Sequence, residues 1–205
     1  MNEKDLTRVG LYGGTFSPPH LGHLHAAREF ARAVKLDRLI IMPAGTPPHK
    51  TETLHIDGER RLEMCRLTFE SIPCAEVSSL EIDRGGASYT VDTLRSLERE
   101  GEKIFMLCGD DMFLTLDKWR LAPEIFARAA IVCMRRYLTD DGELRKKCAE
   151  YEEKYSAEII FIDAVAFPES SSHVRELLSA GESCEGLLES RTAEYIKKFG
   201  IYTYS

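Results

Sequence analysis

The sequence predicts a doubly wound α/β fold, in which helices cover both faces of a mostly parallel sheet. Two observations support this prediction. Short apolar runs alternate with segments whose apolar residues recur at helical spacing, and this alternation continues without a long linker or an internal repeat. Alternating strands and helices are typical of parallel sheets, and continuous apolar runs are typical of strands buried on both faces.

Six apolar runs are predicted to be strands. They occupy residues 8–12, 38–43, 75–82, 103–108, 130–134 and 158–162. Ligands bind at the carboxyl ends of the strands in such sheets, so functional residues are expected in the loops that follow strands.

Helical patterns fill the segments between these runs. The first contains Leu24, Ala27, Ala31 and Val34, which share one face of a helix and complete a βαβ unit with the first two strands. Further helices are predicted at residues 58–71, 90–100, 138–155, 172–180 and 187–199. The 138–155 segment is rich in charge and is predicted to be a solvated helix.

Composition narrows the class of protein. The 205 residues fit one domain, predicted to span 1–205, and no apolar run approaches the roughly 20 residues of a membrane-spanning helix. The first residues, MNEKDLTR, lack the apolar core of an export signal, so a cytoplasmic location is predicted. The formal charge of −7 disfavours nucleic-acid binding. Six cysteines without a C-x-x-C pair indicate reduced thiols and no metal site.

The stretch GLYGGTFSPPHLGH, residues 10–23, is the first candidate site. Gly13 and Gly14 are predicted to form a turn after the first strand, where backbone N–H groups approach a ligand closely. The prolines at 18–19 are expected at the start of the next helix. His20 and His23, spaced i and i+3, would then share the face above the helix N-terminus, which favours an anion.

Two alternative roles for the histidine pair carry less weight. The histidines could be ordinary buried or exposed residues without a function, or they could bind a metal, although no cysteine or third histidine stands at ligand spacing. The phosphate motif G-x-x-x-x-G-K-[ST] is absent, and G-x-G-x-x-G does not follow the first strand. A dinucleotide-dependent dehydrogenase therefore loses its main support.

A serine-rich helix start near the C-terminus is the second candidate. Ser171 or Ser172 is predicted to be the N-cap, and Arg175 is predicted to lie in the first turn. The helix dipole disfavours a cation there unless an anion is bound. A solvated surface arginine is the alternative.

Three further motifs and one lysine allow two interpretations each. Asp110 or Asp111, which follow a strand, could bind the hydroxyl groups of a ribose or could be the N-cap of the next helix. Trp119 suits either packing or stacking on a pyridinium ring. Thr90 would cap a helix whose N-terminal N–H groups, at the Ser88-Tyr89-Thr90 turn, could receive a carboxylate. Lys50 is either a phosphate-binding cation or a solvated lysine.

The stretch GGTFSPPHLGH closely resembles the signature of the HxGH nucleotidyltransferases. Four other stretches, in order, resemble the bacterial nicotinate-nucleotide adenylyltransferases within that superfamily. They are PPHK at 47–50, ASYT at 87–90, GDD at 109–111 followed by Trp119, and SSSHVR at 170–175. Ser17 departs from the usual aspartate and Glu169 from a usually apolar residue.

The resemblance implies transfer of the adenylyl group of ATP to nicotinate mononucleotide, with formation of nicotinate adenine dinucleotide and pyrophosphate. It implies catalytic roles for His20, His23 and Arg175, and a Rossmann-like fold. The implied ATP-binding residues are Gly13, Gly14, Thr15, Phe16, His20, His23, Gly109, Asp111, Ser172 and Arg175. The implied acceptor-binding residues are Lys50, Ser88, Tyr89, Thr90 and Trp119. Mg²⁺ is expected to arrive with ATP.

Different assignments stay open at this point. Phosphopantetheine adenylyltransferases and cytidylyltransferases share the expected fold but lack this combination of motifs. A noncatalytic sensor of pyridine nucleotides is an alternative of a different class, which both histidines and Arg175 disfavour. A homo-oligomer is left open.

Overall fold

The structure, a computed structural model, describes residues 6–46, 56–135, 141–163 and 170–203. These residues contain six strands, β1 (Thr7–Gly14), β2 (Arg38–Pro43), β3 (Ala75–Val77), β4 (Glu102–Gly109), β5 (Ala129–Arg135) and β6 (Ile159–Asp163). One sheet has the order β3-β2-β1-β4-β5-β6, and all its neighbouring strands are parallel. The predicted α/β class is confirmed, with a sheet that is parallel throughout.

Helices connect the strands. They are α1 (Leu21–Val34), α2 (Gly58–Phe69), α3 (Leu80–Arg84), α4 (Thr90–Leu97), α5 (Asp110–Phe113), α6 (Ala122–Arg128), α7 (Asp141–Tyr155), α8 (Ser171–Ala180) and α9 (Ser190–Phe199). A 3-10 turn at Leu116–Lys118 lies between α5 and α6. Among the described residues, none of the helices combines the length and the apolar character needed to cross a membrane.

Two apolar cores lie on opposite faces of the sheet. Alternate residues of a strand enter different cores, as Ile104 and Phe105 of β4 do. Helices α4, α6 and α7 cover the core that contains Ile104, and α1 and α2 cover the other. Helices therefore pack on both faces, as the fold class requires.

A third, smaller cluster attaches the C-terminal helices. Met64 of α2 is fully buried against Val174 of α8 and Ile196 of α9. Thr68 of α2 also forms a buried hydrogen bond with Thr192 of α9, with 2.8 Å between the two hydroxyl oxygens. This packing holds α8 beside the rest of the fold, although α8 follows the last strand.

One predicted strand is too long, and helices α3 and α6 were not predicted. The 75–82 strand ends at Val77, and α3 follows, because the Ser79 hydroxyl bonds the Asp83 carboxylate at 2.6 Å and stabilises a helical turn. Helix α6 is seven residues long and follows Leu121, whose φ of 54° reverses the chain in a left-handed conformation that the sequence pattern does not reveal.

Several boundaries also differ from the predictions. The first strand runs to Gly14, and the helices predicted at 58–71 and 90–100 end at Phe69 and Leu97. The helix predicted at 187–199 begins at Ser190. Residues 138–140 of the predicted 138–155 helix lie outside the described residues.

Helix α7 is more than a solvated surface helix, which corrects the sequence prediction. Its Tyr151 is 1% exposed, and the hydroxyl donates to the carbonyl of Phe113 at 2.8 Å and lies 3.1 Å from a carboxylate oxygen of Asp117. Lys147 also donates to Asp117, at 3.0 Å. Burial would raise the pKa of Asp117, but these hydrogen bonds outweigh it and lower that pKa. Helix α7 thus fastens the segment between Phe113 and Asp117.

Substitution of Tyr151 by phenylalanine is expected to lower the free energy of unfolding by about 1–2 kcal/mol, because it leaves the buried Phe113 carbonyl without its donor. Burial raises the pKa of Tyr151 to about 12, above the ordinary value of about 10. The stabilisation is therefore complete below about pH 10 and is lost as the pH rises towards about 12.

Urea unfolding of both proteins at pH 8 and at several values above pH 10 tests this expectation. The difference between wild type and Tyr151→Phe should shrink over that range. Tyr155→Phe is the matched control, since Tyr155 lies one turn further on α7 and stacks on Phe126. An equal loss in both variants, or a difference independent of pH, would contradict the role given to the Tyr151 hydroxyl.

Candidate active site

The strand order creates a crevice between β1 and β4. From β1 the chain passes to β2 and β3 on one side, whereas β4 pairs with β1 and leads to β5 and β6 on the other. Loops that leave the carboxyl ends of β1 and β4 therefore diverge, and ligands bind at such points in open α/β sheets. Gly13 and Gly14 end β1, the TFSPPH stretch follows it, and Gly109 ends β4.

The loop after β1 is anchored by an aromatic ring. Gly13 and Gly14 end the strand instead of forming the predicted turn, and the chain bends further on, at Ser17 and Pro18. Phe16 is 1% exposed, has a φ of 49°, and packs edge-on against the ring of His23. A Cβ on Gly14 would lie 2.9 Å from the Phe16 ring, so this position requires glycine. The loop backbone is therefore held close to the histidines.

The two histidines form the start of α1. His20 is the N-cap, and its Nδ1 accepts a hydrogen bond from the N–H of Gly22 at 3.1 Å. The N–H of His20 donates to Nδ1 of His23 at 3.2 Å, which completes a reciprocal capping box. The ring centroids are 3.8 Å apart.

This capping arrangement fixes the tautomer of both rings. Each Nδ1 accepts a hydrogen bond from the backbone and therefore carries a lone pair. The proton of each neutral imidazole is then on Nε2. The sequence spacing thus produces two Nε2–H donors at a helix N-terminus, which is a suitable arrangement for an oxyanion.

The helix start differs from the prediction in one detail. Helix α1 begins at Leu21, so Pro18 and Pro19 precede the cap and do not occupy the first helical position. In the described ranges, no group of three or more histidine, cysteine, aspartate or glutamate side chains is arranged to hold a metal ion.

Helix α8 brings Arg175 to the loop after β1. Nη1 of Arg175 donates to the carbonyl of Ser17 at 2.6 Å, and Nη2 donates to the hydroxyl of Ser172 at 3.0 Å. The hydroxyl of Ser171 donates to the Pro18 carbonyl at 2.9 Å. Two segments that are distant in the chain therefore meet beside His20.

The cap of α8 corrects the sequence prediction. Ser170 is the N-cap and accepts from the N–H of His173 at 3.2 Å, so neither Ser171 nor Ser172 has that role. Arg175 consequently occupies the fifth helical position and lies beyond the first turn. Its placement depends on hydrogen bonds to Ser17 and Ser172 more than on the helix dipole.

Ser17 has a structural partner of its own. Its hydroxyl lies 3.0 Å from the hydroxyl of Tyr202, and both side chains are buried. Burial also raises the pKa of Tyr202, which keeps the phenol neutral. Ser17 therefore attaches the loop to the C-terminal segment, and the residue that caps α1 is His20.

The β4 side of the crevice presents one carboxylate. Gly109 is the N-cap of α5, which corrects the expectation that Asp110 or Asp111 caps this helix. Asp110 is 4% exposed and accepts from the N–H of Asp111 at 3.0 Å. The side chain of Asp111 is exposed at the end of the strand.

The turn at residues 87–90 is fastened to the loop after β2. The hydroxyl of Ser88 accepts from the N–H of Gly45 at 2.9 Å, and the N–H of Ser88 donates to the carbonyl of Thr46 at 3.0 Å. Helix α4 begins at Thr90 with Tyr89 as N-cap, so the prediction that Thr90 caps this helix is wrong.

Trp119 and Tyr89 pack against the same core, and each is only partly buried. The guanidinium of Arg120 lies 4.5 Å from the centre of the Tyr89 ring. Trp119 thus packs against the core with one part of its ring and leaves another part exposed. Both interpretations of Trp119 from the sequence, packing and stacking on a pyridinium ring, are compatible with this position. Lys50 lies outside the described residues.

Arg61 is a residue of this site that the sequence pattern did not reveal. It belongs to α2 and is 1% exposed, and its guanidinium donates to the carbonyls of Thr15 at 2.9 Å and Gly45 at 3.0 Å. Burial lowers the pKa of the Arg61 guanidinium. The available signal was spacing, because Arg61, Cys65 and Thr68 share the buried face of α2.

Hydrogen bonds therefore connect most of the predicted site. The histidine loop contacts Arg175 directly and is joined through Arg61 to Gly45 and then to Ser88. Asp111 and Trp119 follow β4, on the other side of the crevice. The arrangement suits a ligand with several negative charges that spans the carboxyl edge of the sheet.

The fold and this cluster define a nucleotidyltransferase of the cytidylyltransferase-like class, whose family model matches residues 11–180. The chain is 32% identical to a probable nicotinate-nucleotide adenylyltransferase of Clostridium tetani, over 96% of this chain and 100% of that protein. It is 35% identical to a protein of the same name from Dictyoglomus thermophilum, over 95% of this chain and 99% of the relative. The chain belongs to the nicotinate-nucleotide adenylyltransferase family.

A solved structure agrees with this fold. The nicotinic acid mononucleotide adenylyltransferase of Plasmodium falciparum, complexed with NaAD, superposes with a TM-score of 0.77 over 96% of this chain and 97% of that chain. The two sequences are 16% identical, so the match concerns the fold.

Proposed function

We propose that the protein transfers the adenylyl group of ATP to the 5′-phosphate of nicotinate mononucleotide, a step of NAD biosynthesis. The products are nicotinate adenine dinucleotide and pyrophosphate. Family membership supports this reaction. The observation that carries the proposal is the 2.6 Å contact between Arg175 and the Ser17 carbonyl, because it brings a guanidinium to the loop that ends in the histidine pair.

The chemistry requires alignment and charge stabilisation. An oxygen of the acceptor phosphate attacks the α-phosphorus of ATP, the bond to the bridging oxygen breaks, and pyrophosphate leaves with that electron pair. The attacking group is already an anion, so no general base is needed. Catalysis then consists of holding two anions in line and stabilising the charge that develops on the phosphate oxygens.

The chain supplies donors for both tasks. We assign the Nε2–H groups of His20 and His23 to the phosphate oxygens, and Arg175 with Ser172 to the triphosphate tail. The backbone of Gly13, Gly14, Thr15 and Phe16 would lie beside the α-phosphate. Gly109 and Asp111 would contact the adenosine, where a carboxylate suits the ribose hydroxyls.

The acceptor would bind beside the 87–90 turn. Backbone N–H groups at Tyr89 and Thr90 would receive the nicotinate carboxylate at the N-terminus of α4, and Ser88 would hold this turn in place through its hydrogen bonds to Gly45 and Thr46. A site of this kind would favour the acid over the neutral amide. Trp119 would stack on the pyridinium ring, an interaction of about 0.5–2 kcal/mol. Lys50 would contact a phosphate.

Nucleotidyltransferases generally use a divalent metal ion with ATP, and we propose Mg²⁺. This ion prefers substrate phosphates and water to a site made only of protein groups, and it would neutralise part of the polyphosphate charge. A single domain and a cytoplasmic location remain predictions from the sequence, and the oligomeric state stays open.

Pyrophosphate release from ATP and Mg²⁺ tests the acceptor. We expect release with nicotinate mononucleotide and much slower release with nicotinamide mononucleotide, because only the former carries the carboxylate. Reactions with phosphopantetheine and without acceptor are the controls, and a CTP reaction with a phosphorylated alcohol tests the cytidylyltransferase alternative. Faster release with phosphopantetheine or CTP would contradict the assignment. Binding of both nucleotides without release would favour a noncatalytic sensor.

A further inference from the structure

Arg61 lies beneath two loops of the candidate site and touches both. One guanidinium nitrogen, Nη1, donates to the carbonyl of Thr15, 2.9 Å away in the loop after β1. The other, Nη2, donates to the carbonyl of Gly45, 3.0 Å away in the loop after β2. The side chain is 1% exposed, so its own position is fixed by the surrounding packing.

The Gly45 peptide continues this connection to the 87–90 turn. Its N–H donates to the Ser88 hydroxyl at 2.9 Å, while its carbonyl accepts from Arg61. A Cβ on Gly45 would lie only 2.4 Å from the Glu81 carbonyl oxygen, so this residue is closely packed. A continuous series of contacts therefore runs from Thr15 through Arg61 and Gly45 to Ser88.

The charge of Arg61 is unusual for a purely structural residue. Within the described residues, its guanidinium bonds two backbone carbonyls and forms no salt bridge with a carboxylate, and its buried Nε has no hydrogen-bond partner. A buried cation of this kind is costly, and replacement of buried charges by apolar residues often stabilises a protein. The two carbonyl contacts at the candidate site offer a functional reason for its presence.

We propose that Arg61 is a positioning residue that fixes the separation between the ATP-binding loop at Thr15 and the acceptor-binding turn at Ser88. The inference rests on the proposed function, which assigns these two loops to different substrates. In-line transfer requires the acceptor oxygen and the α-phosphorus to be aligned, and small displacements of one partner cost large factors in rate. Arg61 touches neither substrate and acts through the two loops.

Arg61→Met and Arg61→Lys test this role through separate measurements of kcat and of substrate binding. For Arg61→Met, we expect kcat to fall at least about 30-fold. The Kd of each substrate alone, measured by calorimetry, should change less than about threefold, because each loop keeps its own contacts. Lysine keeps the charge but cannot form the same fork to two carbonyls, so Arg61→Lys should also lose at least about 10-fold in kcat.

Thr68→Val is the control for general destabilisation. Thr68 lies on the same buried face of α2 and bonds Thr192, away from the site loops. The melting temperature of the Thr68→Val protein should fall, while its kcat should stay within about twofold of wild type. If Arg61→Met does not fold, Arg61→Lys decides the question by the same measurements.

Three results would overturn the inference: wild-type kcat in a folded Arg61 variant, an equally large loss of binding for each substrate alone, or an equal loss of kcat in Thr68→Val. Failure of the proposed function is recognised separately, because wild-type protein would then release no pyrophosphate with nicotinate mononucleotide.

Discussion

Replacement of His20 by alanine is expected to lower kcat by at least about 100-fold, the usual consequence of removing a hydrogen-bond donor from a developing oxyanion. The Nδ1 of His20 is already used to cap α1, so the ring has a fixed orientation before substrate binds. Alanine removes both the donor and the cap. His23→Ala is expected to have a comparable effect, because its Nδ1 is held by the N–H of His20.

The cap must be separated from the catalytic effect. Loss of an N-cap costs about 0.5–2 kcal/mol of stability. Serine is a good N-cap but is too short to replace the imidazole Nε2–H. His20→Ser should therefore recover most of the melting temperature lost in His20→Ala, while kcat stays low.

His25→Ala provides the matched histidine control on α1. His25 lies in the same helix, outside the capping box, and its substitution should leave kcat within about threefold of wild type. Steady-state pyrophosphate release and thermal unfolding are measured on wild type and on each of these variants. Near-normal kcat in His20→Ser would refute the assignment of His20 to the phosphates.

The sequence predicted the sheet well where strands are continuously apolar. Ile104 to Cys108 and Ala130 to Met134 are buried on both faces, and a run of this kind is typical of a central parallel strand. The prediction failed at residues 78–82, where local side-chain bonding between Ser79 and Asp83 favours a helical turn over a longer edge strand. Short-range hydrogen bonds of this kind compete with strand pairing and leave little trace in an apolar pattern.

The candidate site was predicted in part. Neighbouring residues such as His20 and His23 are informative because helical spacing determines their proximity. Caps were misplaced by a residue or two. Three serines in succession offer equivalent N-caps for α8, whereas Tyr89 and Gly109 occupy the N-cap positions of α4 and α5 without a side-chain hydrogen bond, which a pattern of capping residues does not reveal. The contact of Arg175 with Ser17 was not predictable from local pattern, because it depends on the docking of α8 against α2.

Arg61 illustrates a different limit. Arginine is usually exposed, and a charged residue on the apolar face of a helix is normally interpreted as a boundary position. Its burial becomes understandable only when two backbone carbonyls from other loops are placed at its fork. Tyr151 is similar, since its partners, Phe113 and Asp117, belong to a distant segment.

Substitution of Arg175 by methionine is expected to lower kcat/KM for ATP by about 30- to 100-fold. Hydrogen bonds to charged groups contribute about 1.5–3 kcal/mol, and each 1.4 kcal/mol is a factor of ten. The loss should be larger in kcat/KM for ATP than in the KM for the acceptor. Arg175 lies beside Ser172 and the histidine loop, whereas the acceptor is assigned to the Ser88 turn.

Arg175 also holds the Ser17 carbonyl, so a loss of activity alone could reflect a displaced loop. Arg175→Lys distinguishes the two roles, because lysine retains the charge and one strong donor but not the simultaneous contact with Ser17 and Ser172. If charge on the polyphosphate dominates, the lysine variant should recover most of the kcat/KM lost in Arg175→Met. Arg191→Met is the control, since Arg191 is an exposed arginine of α9 paired with Glu70, and it should stay within about twofold of wild type. Unchanged ATP kinetics in a folded Arg175→Met would contradict the convergence of guanidinium and imidazoles on one polyphosphate, because a cation within 2.6 Å of that loop would then leave the reaction unaffected.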